Sequence, residues 1–107
     1  MTAFEAVAEP ARRQILDLLI EGPRPVGDLV VETGLSQPNT SRHLRILREA
    51  GLVEFTPRGQ QRLYDLRPEG LAELERWLAP YRRLWEGGLD ALERHLDEME
   101  RKGVTHA

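Results

Sequence analysis

Residues 34–52 read GLSQPNTSRHLRILREAGL, a turn and then a single helix between two glycines. Gly34 can take the left-handed conformation that ends a preceding helix. Ser36 suits an N-cap, and Pro38 fits the first turn after it. Leu44 and Leu47 share one narrow apolar stripe, and Gly51 stops the helix. The other surface carries Gln37, Asn39, Thr40, Ser41, Arg42 and Arg45. Amides, hydroxyls and guanidiniums are the groups that hydrogen-bond base edges and phosphates. The spacing predicts a helix over Ser36–Ala50 that enters the major groove of DNA.

Working outward, Thr2–Ala8 reads as a short helical turn or two with Phe4 and Val7 on one side. Pro10–Ile20 reads as a helix whose apolar face is Ile15, Leu18 and Leu19. Gly22-Pro23-Arg24-Pro25 is a break. Val26–Thr33 is a third helix with Leu29 and Val30 facing in. The gap of about three residues before the next helix is the helix-turn-helix spacing. Downstream, the β-formers of Leu52–Arg58 and Gln61–Leu66 flank Gly59-Gln60, the pattern of a hairpin. With Arg58 and Arg62 near its tip, this hairpin is expected to be a wing beside the recognition helix.

From Pro68 to about Lys102 the pattern is helical again. Leu71, Leu74, Leu78, Tyr81, Trp85, Leu89, Leu92, Leu96 and Met99 lie three or four residues apart, close to a heptad seam. Pro80 is expected to kink or split this helix, and Gly87-Gly88 to weaken its middle. The expected organisation is one domain over 1–107. It has a winged-helix core at 3–67 and a C-terminal dimerisation helix, or kinked helix pair, at 68–102. The fold class is mainly α with a small β-hairpin wing.

Composition narrows the function. The chain has 107 residues and no cysteine, which excludes disulfides and thiolate metal sites. It holds no run of apolar residues long enough to span a bilayer and no signal-peptide pattern, so a cytoplasmic protein with no membrane partner is expected. The net charge of −3 is unevenly spread: residues 1–35 carry −3, residues 36–67 carry +3 and residues 68–107 carry −3. The positive block coincides with the recognition helix and hairpin, and a local basic face is what phosphate binding requires.

Three stretches, FEAVAEPARRQILDLL, VGDLVVETGLSQPNTSRHLRILREAGLV and RGQQRLYDL, resemble the ArsR (arsenical-resistance repressor) family of winged-helix transcription regulators. The resemblance implies a homodimer whose terminal helices pair and whose two recognition helices enter successive major grooves. It further implies repression of a palindromic operator, relieved by an inducer that the sequence does not identify. The family's arsenic and cadmium sensors place cysteines in the third helix, where this chain has Asp28-Leu29-Val30-Val31, so that sensing site is absent. Glu93, His95 and His106 echo the carboxylates and histidines that the family's zinc and nickel sensors place on the last helix. Gly103 interrupts the helix before His106, and no fourth ligand follows, so no metal and no cofactor are expected.

The expected DNA-contacting set is Ser36, Gln37, Asn39, Thr40, Ser41, Arg42, His43 and Arg45 on the helix, with Arg58, Gln60 and Arg62 on the wing. His43 has no partner carboxylate nearby and is read as a phosphate contact or a residue packed at the helix edge. The expected dimerisation set is Phe4, Val7, Trp85, Leu89, Leu92, Leu96 and Met99. The Trp77, Tyr81, Trp85 stripe is read as core or dimer interface rather than a ligand pocket. The carboxylates of the last helix, Asp90, Glu93, Asp97 and Glu98, are read as a solvated face. No nucleophile, phosphate loop or cofactor motif accompanies them, so an enzyme is not expected. Two rival readings remain: a metal-responsive repressor, and a winged helix that serves as an interaction module without DNA.

Overall fold

A computed structural model describes the backbone of residues 1–101 and the side chains of residues 1–86 and 93–101. Helix α1 (Ala3–Val7) and helix α2 (Pro10–Leu19) precede a two-residue strand β1 (Arg24–Pro25). Helices α3 (Val26–Thr33) and α4 (Gln37–Glu49) follow, then strands β2 (Val53–Arg58) and β3 (Gln61–Leu66), and last α5 (Pro68–Arg101). This is the winged-helix arrangement expected from the sequence. Met1–Leu74 forms one compact unit, and the chain from Glu75 onward forms a second.

Local chemistry sets the element ends. Thr2 Oγ1 accepts from the Glu5 backbone N–H at 3.2 Å, and the Glu5 carboxylate accepts from the Thr2 N–H at 3.3 Å, a capping box that starts α1. These bonds hold the Glu5 carboxyl below its ordinary range. Gly34, at φ 72°, ends α3 in the left-handed conformation, and Ser36 caps α4 by accepting from the Asn39 N–H at 3.2 Å. The turn between α3 and α4 thus forms as its glycine and serine predict.

The break expected at Gly22–Pro25 holds one more element. Arg24 and Pro25 pair antiparallel with Tyr64 and Leu63, so the wing is a three-stranded sheet in the order β1-β3-β2. A two-residue strand gives no period to read, and a proline is tolerated because β1 lies at the sheet edge.

The core gathers Ala3, Ala6, Ile15, Leu16, Leu19, Leu29, Leu44, Leu47, Leu52, Val53 and Tyr64. The inward face of α2 is centred one residue differently from its expected face. Leu16 is buried with Ile15 and Leu19, while Leu18 is only half-buried. On α3, Leu29 is buried and Val30 half-buried. Helix α5 continues through Pro80 without splitting. A proline removes one intrahelical donor, and the amphipathic turns on both sides keep theirs. Within the second unit the Trp77 and Tyr81 rings lie 5.1 Å apart, and Arg82 pairs with Glu75.

The start of α5 is pressed onto the turn that ends α4. The Gly70 N–H donates to the Gly51 carbonyl at 3.0 Å, and the Arg67 N–H to the Leu52 carbonyl at 2.8 Å. A Cβ on Gly70 would lie 2.5 Å from the Gly51 carbonyl oxygen and 2.8 Å from its carbon. Helix propensity alone favours alanine over glycine by about 1 kcal/mol, but backbone cannot yield as a flexible side chain can. Gly70→Ala is therefore expected to destabilise the fold by roughly 1–3 kcal/mol in urea denaturation. An unchanged or raised midpoint would show that this contact relaxes freely.

Candidate DNA interface

The two faces of α4 do different work. Thr40, His43, Leu44 and Leu47 are buried, while Gln37, Asn39, Ser41, Arg42, Arg45 and Arg48 are exposed. Gln37, Ser41, Arg42 and Arg45 line one cleft of about 450 Å³ together with Arg48, Arg62 and Tyr64. Gln60 lies in an adjoining cleft beside Gln37 and Arg62. The helix and the wing thus bring amides and guanidiniums to one surface, the arrangement expected of a groove-reading interface.

Three expected contacts are placed elsewhere. Thr40 is fully buried, and its hydroxyl donates to the Ser36 carbonyl at 2.9 Å. His43 is 5% exposed. Neither side chain can reach a base from the inward face. Helical periodicity puts positions 40, 43, 44 and 47 on one stripe, and the polar character of two of them obscures this in the sequence. Arg58 stands on the far side of the hairpin, in a cleft with Glu54, Thr56, Leu63 and Asp65. Alternation along the strands explains the split. Arg58 pairs with Gln61 and Pro57 with Arg62, so Arg58 and Arg62 project to opposite faces.

Arg48 joins the cleft although the sequence reading left it out. Its position in the last turn of α4 marks it equally well as a charge complementing the helix C-terminus. Arg12, also outside the expected set, ties α4 to α1. Its Nε donates to the Ala6 carbonyl at 2.7 Å, and its Nη1 donates to His43 Nδ1 at 3.3 Å. Arginine has no acceptor, so Nδ1 accepts and the neutral ring carries its proton on Nε2. Arg13 Nη1 donates to the Val7 carbonyl at 2.6 Å. Two consecutive arginines therefore bind carbonyls at the end of α1 that its own turns leave unpaired.

Burial, with Arg42 and Arg12 close by, pushes the His43 imidazole below its ordinary value of 6.5. The unfolded chain thus binds this proton more readily than the folded one. The contribution of His43 to stability is complete above its ordinary value and is lost as pH falls from there through the lowered value. The melting temperature is expected to drop as pH falls below the ordinary histidine value of 6.5, and to drop less in His43→Gln. Equal drops in both proteins would remove His43 from this account.

Of the expected dimerisation residues, Phe4 is 38% exposed and Val7 half-buried in the first unit. In the second, Trp85 is 47% and Leu96 39% exposed, with Met99 half-buried. The side chains of Leu89 and Leu92 lie outside the described residues. Glu93 and His95 are exposed, and His106 lies outside the described residues. Among the described residues no three carboxylates or histidines gather where they could hold a metal ion. No helix among them is long and apolar enough to cross a membrane.

An arginine-bearing recognition helix beside a β-wing that adds Arg62 to the same cleft defines a winged helix-turn-helix DNA-binding protein. Residues 9–54 match the family described as bacterial regulatory protein, arsR family. The chain is 43% identical over 72 residues to the HTH-type transcriptional regulator Rv2034 of Mycobacterium tuberculosis, covering 67% of each protein. It is 36% identical over 75 residues to the transcriptional repressor SdpR of Bacillus subtilis, covering 70% of this chain and 83% of SdpR. Its structure is similar, at a TM-score of 0.62 and 32% identity, to the homodimeric winged helix-turn-helix DNA-binding domain of Mb0332 from Mycobacterium bovis. That match covers 76% of this chain and 75% of the Mb0332 fragment. The chain belongs to the ArsR family of transcriptional regulators. It is a member without cysteine, and so without a cysteine sensing site, and it is a regulator rather than an enzyme.

Proposed function

We propose that this chain is a homodimeric repressor that binds a palindromic operator through α4 and the wing. The cleft shared by Gln37, Ser41, Arg42, Arg45 and Arg62 carries this reading. Gln37, Asn39 and Ser41, at the start of the helix, discriminate bases. Arg42 and Arg45 bind guanine edges or phosphates, and Arg62 and Gln60 hold the backbone. Ser36 keeps the helix end in place as its cap. Arg58, on the far face of the hairpin, serves a flanking phosphate. Such a regulator works in the cytoplasm, where the DNA is.

A dimer is supported by the homodimeric relative Mb0332 and by the exposed side chains of Tyr81, Leu84 and Trp85, which are 48%, 74% and 47% accessible. Burying apolar side chains of this size releases roughly 1.5–3 kcal/mol each. Residues 68–102 are the dimerisation helix in this reading, with Phe4 and Val7 of α1 contributing. Bound repressor blocks the polymerase, and an inducer releases it by favouring a dimer geometry whose half-sites no longer match DNA. The exposed cations of the shared cleft argue against an interaction module without DNA.

If each protomer neutralises about three or four phosphates, log affinity for an upstream fragment falls with log salt at a slope of roughly −5 to −7. Arg62→Gln is expected to flatten that slope, whereas Gln37→Ala relaxes sequence preference and leaves the slope in place. Absence of binding to any upstream fragment at low salt would sink the repressor reading. Trp85→Glu is expected to weaken dimerisation in sedimentation and operator binding together. A variant that stays dimeric places the interface elsewhere. Zinc, cadmium or arsenite added to the protein–DNA complex is expected to leave affinity unchanged. Release of DNA by a stoichiometric metal would instead favour the metal-responsive reading.

A further inference from the structure

We propose that Phe55 is a positioning residue for DNA binding, holding Arg48 of α4 and Arg62 of the wing as one two-guanidinium clamp for a backbone phosphate. The inference rests on the DNA-binding reading above and adds Arg48 and Phe55 to it. The Phe55 ring lies 4.9 Å from the guanidinium carbon of Arg48 and 4.4 Å from that of Arg62. One cation comes from the last turn of the recognition helix, the other from β3, and the ring that both rest on belongs to β2. Phe55 is itself held from the neighbouring strand. It pairs with Tyr64, the ring centroids are 5.6 Å apart, and Tyr64 is buried.

Both guanidiniums are exposed and line the cleft that also carries Arg42 and Arg45. Among the described residues no carboxylate pairs with Arg48 or Arg62, and no hydrogen bond is made by either guanidinium. Two like charges on one ring repel, and the electron-rich ring face offsets part of that repulsion. An anion bound to both relieves the rest. A guanidinium resting on a ring keeps its N–H edges for such an acceptor, and these edges match phosphate oxygens in pairs. The ring also fixes side chains that are otherwise long and free, so less ordering remains to be done when DNA binds.

The test uses the full chain and a labelled duplex of arbitrary sequence, about two helical turns long, at low salt, where phosphate contacts dominate affinity. Phe55→Leu is expected to weaken binding roughly threefold to tenfold, and Phe55→Tyr, which keeps the ring, to restore it. In an Arg48→Gln, Arg62→Gln background, Phe55→Leu is expected to cost nothing further. The two arginine substitutions lie outside the core and give a second measure: together they should lose less than the product of their separate losses. Wild-type affinity in Phe55→Leu overturns the clamp, as does an undiminished loss in the arginine-free background or independent losses for the two arginines. Failure of the wild-type chain to bind any duplex overturns the DNA-binding reading itself, and the clamp with it.

Discussion

Leu44 and Leu47, buried in one cluster with Ile15, Leu19 and Leu29, fix the rotation of α4 about its axis. That rotation decides which side chains meet DNA. Turning the helix by a single residue, 100°, would bring Thr40 and His43 toward solvent and carry some of the exposed arginines inward. The penalty for such a turn is large, because it removes leucines from the core and strips guanidiniums of water. The polar members of the inward stripe reinforce the same setting. Thr40 bonds within its own first turn, and His43 accepts from Arg12, so neither is left unsatisfied on burial.

The hairpin presents its cations by a different rule. Strand alternation sends Phe55, Pro57, Arg62 and Tyr64 to one face and Arg58, Gln61, Leu63 and Asp65 to the other. The net charge of −3 is compatible with DNA binding for the same reason. The surface that meets phosphate gathers Arg42, Arg45, Arg48 and Arg62 in a single cleft, whereas Arg58 shares its own cleft with Glu54 and Asp65. At the range of a Debye length, about 8 Å at physiological salt, the local cluster governs attraction.

What could be read from the sequence follows from how local each cause is. The capped turn at Gly34–Ser36, the inward leucines of α4 and the Gly-containing hairpin rest on neighbouring residues, and all are legible. Strand β1 is not, because Arg24 and Pro25 become a strand only by pairing with Leu63 and Tyr64 some forty residues away. The burial of His43 was likewise illegible, since its partner Arg12 comes from another helix and histidine has no fixed preference for inside or outside. The opposed directions of Arg58 and Arg62 depend on which residues pair across the hairpin. A shift of one position would pair Arg58 with Arg62 and put both on one face, so only the pairing of Arg58 with Gln61 separates them.

The terminal elements reach α4 through short, well-defined links. At the front of the chain, Arg12 binds the Ala6 carbonyl with one nitrogen and His43 with another, so the end of α1 and the middle of α4 are bridged by one guanidinium group. At the back, the first turn of α5 donates from Gly70 to the Gly51 carbonyl that closes α4, at a distance that leaves no room for a Cβ. Neither link is a broad apolar surface that could slide, because hydrogen bonds are directional and weaken as donor and acceptor move out of line. A helix held this way keeps its orientation relative to α1 and the start of α5 more strictly than core packing alone requires. The reading surface of α4 is therefore set by the terminal segments as well as by the leucines behind it.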